Sequence, residues 1–225
     1  MAHELRNPLS AVDLNLQLLE EELKEQASLP EQGARYLQVL NAECRRLSII
    51  LDNFMKFARP GSVGLHDVNV SALIEHIVAL MQFEAEERKI HLEQALEDSL
   101  PSVLGNETAI SQVLVNVVVN AFHAMPNGGQ CQIAAEARHA NGTLWLDVSV
   151  KDTGVGIRKE ELARMFEPFY TTKSSGTGLG LAIAYRIMED HGGTIQVSSM
   201  PGIGTTVTLT FPVLVKEGKP LAVAS

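Results

Sequence analysis

Near the start of the chain, apolar residues recur at alternating steps of four and three. Leu5, Leu9, Val12, Leu16, Leu19 and Leu23 form one series, and Leu37, Leu40, Cys44, Leu47, Leu51 and Phe54 a second. Both are heptad seams, the pattern of helices that pack side by side. Between them, Ser28-Leu29-Pro30-Glu31-Gln32-Gly33 carries turn chemistry. The pattern predicts a helical hairpin of helices 2–28 and 31–58. A lone hairpin buries its seams poorly, so a homodimer forming a four-helix bundle is expected. Arg59-Pro60-Gly61 stops the second helix, because proline cannot continue it. A domain boundary is expected at 60–64.

Beyond the boundary the pattern alternates in type. A short strand is predicted at 68–70, then a helix capped by Ser71 and running to about Arg88, with Leu73, Ile77, Leu80 and Met81 on one face. A strand follows at 90–96. Asn106 caps a helix over 107–125, closed by Pro126-Asn127-Gly128-Gly129. Segments 130–138 and 143–151 form a hairpin around Asn141-Gly142. A helix runs from Gly178 to about His191, and 194–198 pairs with 205–211 in a second hairpin. The fold class is α+β: a helical hairpin, then an α/β sandwich with helices on one face of a mixed sheet. The expected domains are 1–60 and 66–212, with a patternless tail at 213–225.

Composition narrows the functions. With 45% hydrophobic and 20% charged residues the chain is globular in character. Its apolar runs are a few residues long, against the ~20 of a membrane helix, so no membrane contact is expected. Net charge is −9, the wrong sign for a nucleic-acid binder. Cys44 and Cys131 have neither metal-site nor disulfide spacing, which fits a reducing, cytoplasmic location. The other histidines, His66, His76, His91, His139 and His191, show no paired spacing and read as surface or packing residues.

Three segments carry chemistry. In Asp152-Thr153-Gly154-Val155-Gly156, an aspartate ends an alternating strand and precedes spaced glycines. Its carboxylate suits an exocyclic amine and its glycines a close-lying ligand, although a plain Asp-Thr-Gly turn has the same pattern. In Gly176-Thr177-Gly178-Leu179-Gly180, glycines open a helix and expose N–H groups to an anion. This is neither a Walker A nor a Rossmann pattern. On the helix over 107–125, Asn116 and Asn120 stand four apart among valines. Unbonded, they would be costly to bury. They serve either as ligands to Mg2+ and phosphate or as interhelical amides.

In order and spacing, Asn120, then Asp152 to Gly156, then Phe166-Glu167-Pro168-Phe169, then Gly176 to Gly180, resemble the ATP-binding domain shared by sensor histidine kinases, gyrase B, Hsp90 and MutL. The resemblance spans roughly 66–212 and implies a Bergerat-type α/β sandwich. His3-Glu4-Leu5-Arg6-Asn7-Pro8-Leu9 resembles the phosphoacceptor box of histidine kinases, which sits on just such a dimeric hairpin. Asn120-Ala121-Phe122-His123-Ala124-Met125-Pro126 is similar to the nitrogen-regulation subgroup. His123 departs from the lysine that many members carry.

The resemblance implies an ATP- and Mg2+-dependent protein histidine kinase of a two-component system. His3 would be the phosphorylated residue and Glu4 its proton acceptor. An aspartate of a response-regulator receiver domain would receive the phosphoryl group. Asn7 would orient water in a phosphatase reaction. Asn120 would bind the metal, beside Asn116. Asp152 would read adenine, Gly154 and Gly156 would let the nucleotide approach, and Gly178 and Gly180 would cradle phosphates. Phe166 and Phe169 would anchor a lid over 170–176, with Thr172, Lys173, Gly176, Thr177 and Leu179 contributing to the cofactor site. Lys173 is either a γ-phosphate contact or a solvated lysine. Family helices extend further before the phosphoacceptor, so the chain is expected to be the core of a longer protein.

Overall fold

Alternating burial along three long strands sets the architecture of the second half of the chain. The computed structural model describes residues 14, 16–19, 21, 35, 37–42, 44, 47, 64–140, 142–172 and 177–213. The chain divides into two units, Met1–Arg59 and Pro60–Ser225.

In the first unit every described residue is helical. Leu37 and Asn41 are buried and Cys44 is half-buried, whereas Leu19, Leu40 and Leu47 are 43%, 51% and 51% exposed. The second seam is therefore split. Leu37 and Cys44, seven apart, turn inward, while Leu40 and Leu47, also seven apart, stay bare.

The second unit runs β1 (His66–Val68), α1 (Val70–Glu87), β2 (Ile90–Leu96), β3 (Val103–Gly105), α2 (Glu107–Ala124), β4 (Gly129–Ala140) and β5 (Thr143–Asp152). It continues through α3 (Lys159–Leu162), α4 (Gly180–Asp190), β6 (Thr194–Met200) and β7 (Gly204–Val213). A five-stranded sheet has the order β2-β4-β5-β7-β6. β2 lies parallel to β4 and every other pair is antiparallel, so the sheet is mixed as expected. β1 and β3 form a separate two-stranded ribbon.

Every second residue of the central strands enters the core: Cys131, Ile133 and Ala135, then Leu146, Val148 and Val150, then Val207, Leu209 and Phe211. The α2 stripe Ile110, Val113, Leu114, Val117, Val118, Ala121 and Phe122 covers them. Intervening sheet positions are polar, such as Asp147, which receives bonds from Arg138 at 2.6 Å and Thr210 at 2.6 Å.

Several local expectations change. α1 begins at Val70, and its cap is Asn69, not Ser71; the Asn69 carboxamide oxygen accepts the Ala72 N–H at 3.1 Å. β1 therefore ends at Val68. Leu80 is 63% exposed, because the buried stripe of α1 is Val70, Leu73, Ile74, Ile77, Met81 and Ala85. β3 and α3 have three and four residues, too short to show a period.

Leu146 is fully buried in the central strand. Leu146→Ala should cost about 3 kcal/mol, transfer loss plus cavity. Urea unfolding followed by Trp145, the chain's one tryptophan, reads this unit alone.

Candidate functional site

A cleft of about 480 Å³ lies in the second unit, bordered by α2, the end of β5, the loop after it, and the start of α4. That volume falls within the ~300–1,000 Å³ of small-molecule sites.

The first wall follows from the two faces of α2. Its apolar stripe is buried in the core, which turns Asn116, Asn120 and His123 to the cleft. The Asn116 Nδ2 donates to the Gly180 carbonyl at 3.2 Å. One amide group thus ties α2 to the start of α4.

The second wall is the end of β5. Asp152 pairs in register with Cys131 on β4 and Thr205 on β7. It is 6% exposed. Its Oδ1 accepts the Gly154 N–H at 2.8 Å and the Thr205 N–H at 3.2 Å. Both bonds fall on one oxygen, so Oδ2 is the atom left for a ligand. Burial raises the Asp152 pKa above its ordinary value, and the two N–H donors counter that only in part. Across the ladder, burial and then the Asp152 charge push the Cys131 thiol up to about 12, so it stays protonated and inert.

The glycines divide by what demands them. A Cβ at Gly154 would lie 2.5 Å from the Ala124 carbonyl, so this glycine lets the chain reach the end of α2, where the Val155 N–H donates to Ala124 at 3.0 Å. Gly156 has φ +69 and would press a Cβ into the Met200 carbonyl. Gly178 has φ +67 and would press one into the Phe169 carbonyl. Gly180 differs. A Cβ there would meet only the Asn116 amide, at 3.8 Å. Protein packing does not require a glycine at 180, and Gly180 lines the cleft. It also opens α4, whose N-terminus has no side-chain cap. An uncapped N-terminus with a bare first residue suits a close-lying anion.

Asn116, Asn120, Asp152, Gly156, Thr172, Thr177, Gly178 and Gly180 thus come together around one cleft. Gly154, Phe169 and Leu179 do not line it. Leu179 is fully buried. Phe169 is 57% exposed with φ +67, and its N–H donates to the Gly178 carbonyl at 2.9 Å, so its hold on the loop runs through backbone. Phe166 packs on the core and on Tyr185, ring centres 5.4 Å apart. His3, Glu4, Asn7, Lys173 and Gly176 lie outside the described residues.

The cleft also includes residues that sequence reasoning passed over. Thr205 donates its N–H to Asp152, and its hydroxyl bonds Ser199 Oγ at 2.9 Å. Its signal was the preceding Gly202-Ile203-Gly204, since Gly204, at φ +138, would otherwise drive a Cβ into the Asp152 carbonyl. Tyr170 lines the cleft beneath the Arg164 guanidinium, 4.4 Å from the ring centre. Glu161 lines it too, held below its ordinary pKa by hydrogen bonds from Arg158. Among the described residues no three His, Cys, Asp or Glu side chains could hold a metal ion together. A cation here would rely on amide oxygen, water and phosphate, a donor set that suits Mg2+. Among the same residues, no helix is long and apolar enough to cross a membrane.

A buried carboxylate bonded through one oxygen and a glycine-opened helix N-terminus thus border one cleft of an α/β sandwich, a chemistry suited to a ligand with an amine and an anionic end. Residues 105–215 match the family of histidine kinase-, DNA gyrase B- and HSP90-like ATPases. Residues 1–62 match the His kinase A (phospho-acceptor) domain. The chain belongs to the sensor histidine kinases. It is 35% identical over 220 residues to the sensor histidine kinase ZraS of Escherichia coli (strain K12), covering 98% of this chain and 46% of that protein. The chain thus spans about half the length of that curated relative. Full-length ShkA in complex with AMPPNP superposes with TM-score 0.75 at 28% identity, covering 96% of this chain and 45% of that one. Histidine kinase ThkA in complex with the response regulator protein TrrA gives TM-score 0.67 at 26% identity, over 95% of this chain and 60% of that one.

Asp152→Asn separates folding from recognition. The amide oxygen can keep the Gly154 and Thr205 bonds, while Nδ2 replaces the free acceptor by a donor. Because the native pKa is raised, ionising Asp152 costs stability as pH rises from the ordinary carboxylate range through the native value. The variant lacks that loss. Its thermal stability relative to wild type should increase from acid to neutral pH, while AMPPNP affinity falls about 10- to 100-fold.

Proposed function

We propose that this chain phosphorylates His3 with ATP and passes the phosphoryl group to an aspartate on the receiver domain of a response regulator. The observation that carries the reading is the Asp152 carboxylate, buried, bonded through Oδ1 alone and lining the cleft.

Asp152 Oδ2 accepts a hydrogen bond from the adenine amine. The backbone at Gly178 and Gly180 would cradle the phosphates, and Asn120 would hold Mg2+ through its amide oxygen, with Asn116 beside it. When bound, Mg2+ neutralises charge on the phosphates. Phosphoryl transfer depends mainly on such positioning and neutralisation. Thr172, Lys173, Gly176 and Thr177 would contribute to the nucleotide site, Thr172 and Thr177 from the cleft lining. A neutral imidazole nitrogen of His3 attacks the γ-phosphorus; the N–P bond forms as the bond to the ADP oxygen breaks. Glu4 takes the proton from the other ring nitrogen. Asn7, four residues on in sequence, would orient water for dephosphorylation of the regulator.

The functional division is 1–60 for dimerisation and phosphotransfer and 66–212 for ATP binding. The exposure of the seam leucines Leu19, Leu40 and Leu47 supports a homodimer through the hairpin, where a second copy would cover them. ThkA, complexed with a response regulator, supports the partner class, and ShkA, complexed with AMPPNP, supports the nucleotide. The reaction belongs in the cytoplasm, where ATP is available.

Incubation with γ-labelled Mg–ATP should leave acid-labile label on the chain and none on His3→Gln. Asn120→Ala should fold but lose label about 100-fold. Acid-stable label would point to hydroxyl phosphorylation and acid-labile label that persists in His3→Gln to a different acceptor; either would overturn His3.

A further inference from the structure

His191 caps the C-terminus of α4, half-buried and outside every sequence motif of the site. Its ring is engaged at both nitrogens. Nδ1 lies 2.7 Å from the Ile187 carbonyl oxygen, which only accepts, so Nδ1 carries the proton. Nε2 is then the bare nitrogen, and it accepts the Asn106 backbone N–H at 3.0 Å. The two bonds together specify one neutral tautomer.

Asn106 is the N-cap of α2, and its side-chain oxygen accepts the Ala109 N–H at 2.8 Å. In a complete capping box, the third helical residue returns a side-chain acceptor to the cap's own N–H. That residue here is Ala109, which has none to return. His191 supplies the acceptor from 85 positions further along the chain. The fit is close: a Cβ at Gly105 would lie 2.9 Å from the His191 ring and 2.6 Å from Ile110.

The consequence is a second tie between two helices that already share one. On the cleft side, Asn116 bonds the Gly180 carbonyl at 3.2 Å. At the other end, His191 bonds Asn106. The distance along α2 from Asn106 to Asn116 is about 15 Å, and along α4 from Gly180 to His191 about 16 Å, at 1.5 Å per residue. The spacings match, so the ties act as two rungs between antiparallel helices.

We infer that His191 is a positioning residue for nucleotide binding: it locks the start of α2 to the end of α4, and so fixes Asn116 and Asn120 relative to the Gly178–Gly180 backbone. It touches no ligand itself. The inference rests on the nucleotide reading of the cleft given above.

The full chain should be compared with His191→Gln and His191→Asn. A glutamine oxygen reaches the ε position and can accept the Asn106 N–H. Asparagine reaches only the δ position, keeping the donor to Ile187 and losing the acceptor. The first readout is the Asn116 side-chain amide resonance without nucleotide. The second is AMPPNP affinity. H191N should displace the Asn116 resonance and weaken AMPPNP about tenfold, whereas H191Q should stay within about threefold of wild type. An unmoved Asn116 resonance in H191N would overturn the inference, as would equal weakening in both variants, the mark of mere packing. If wild type itself fails to bind AMPPNP while H191N still moves Asn116, the nucleotide role falls with the cleft reading and only the helix tie survives. The wild-type chain offers a further check that needs no variant: a through-hydrogen-bond coupling between the Asn106 amide nitrogen and His191 Nε2 must be present, and its absence overturns the inference.

Discussion

The two bonds to Asp152 Oδ1 hold the site together. One comes from Gly154, two residues on, and shapes the turn after β5. The other comes from Thr205 on β7 and fixes the neighbouring strand at the same level. Each donor in turn constrains a glycine. Gly154 must lack a Cβ for its turn to reach Ala124 at the end of α2, and Gly204 must lack one where β7 passes the Asp152 carbonyl. The carboxylate, the turn, the α2 terminus and the β5–β7 register are therefore one arrangement. Moving any of them moves the oxygen that faces the cleft.

Sorting the glycines by steric demand refines what a glycine-rich motif means. Gly154, Gly156 and Gly178 are explained without any ligand, because backbone from another segment occupies the space a side chain would need. Gly180 is not explained that way. Its missing side chain opens the N-terminus of α4 toward the cleft, where an anion gains from both the dipole and the free N–H groups. A motif that looks uniform along the chain thus mixes glycines that neighbouring backbone demands with one, Gly180, that protein packing does not.

Much of the fold was legible because it rests on periodicity. The valine-rich stripe of α2 and the alternation in β4, β5 and β7 each repeat often enough to fix element type and buried face. Asn106 was legible as a cap, since its role is local. Elements without a period, β3 and α3, were not. Ser71 lost the capping role to Asn69 because backbone geometry, not residue preference alone, decides which candidate sits at the turn. Asp152 and Gly180 were visible as chemistry, but Thr205 and His191 were not, because their partners lie 53 and 85 residues away. The heptad seam indicated helix, but not that among its described positions Leu37 and Cys44 turn inward while Leu40 and Leu47 stay exposed.

An energetic asymmetry follows from the same geometry. An ionised carboxylate at 6% exposure with only two donors is under-solvated in the free protein. A ligand amine bonded to Oδ2 would provide a third donor where water now has little access. The free site is thus held at a cost in stability that the ligand relieves, which makes nucleotide binding and folding linked equilibria. A better-solvated acid would give a more stable free domain and a weaker reader of the base. On the proposed reading, hiding Asp152 with both protein donors on Oδ1 would turn desolvation into selectivity for a ligand that brings its own donor.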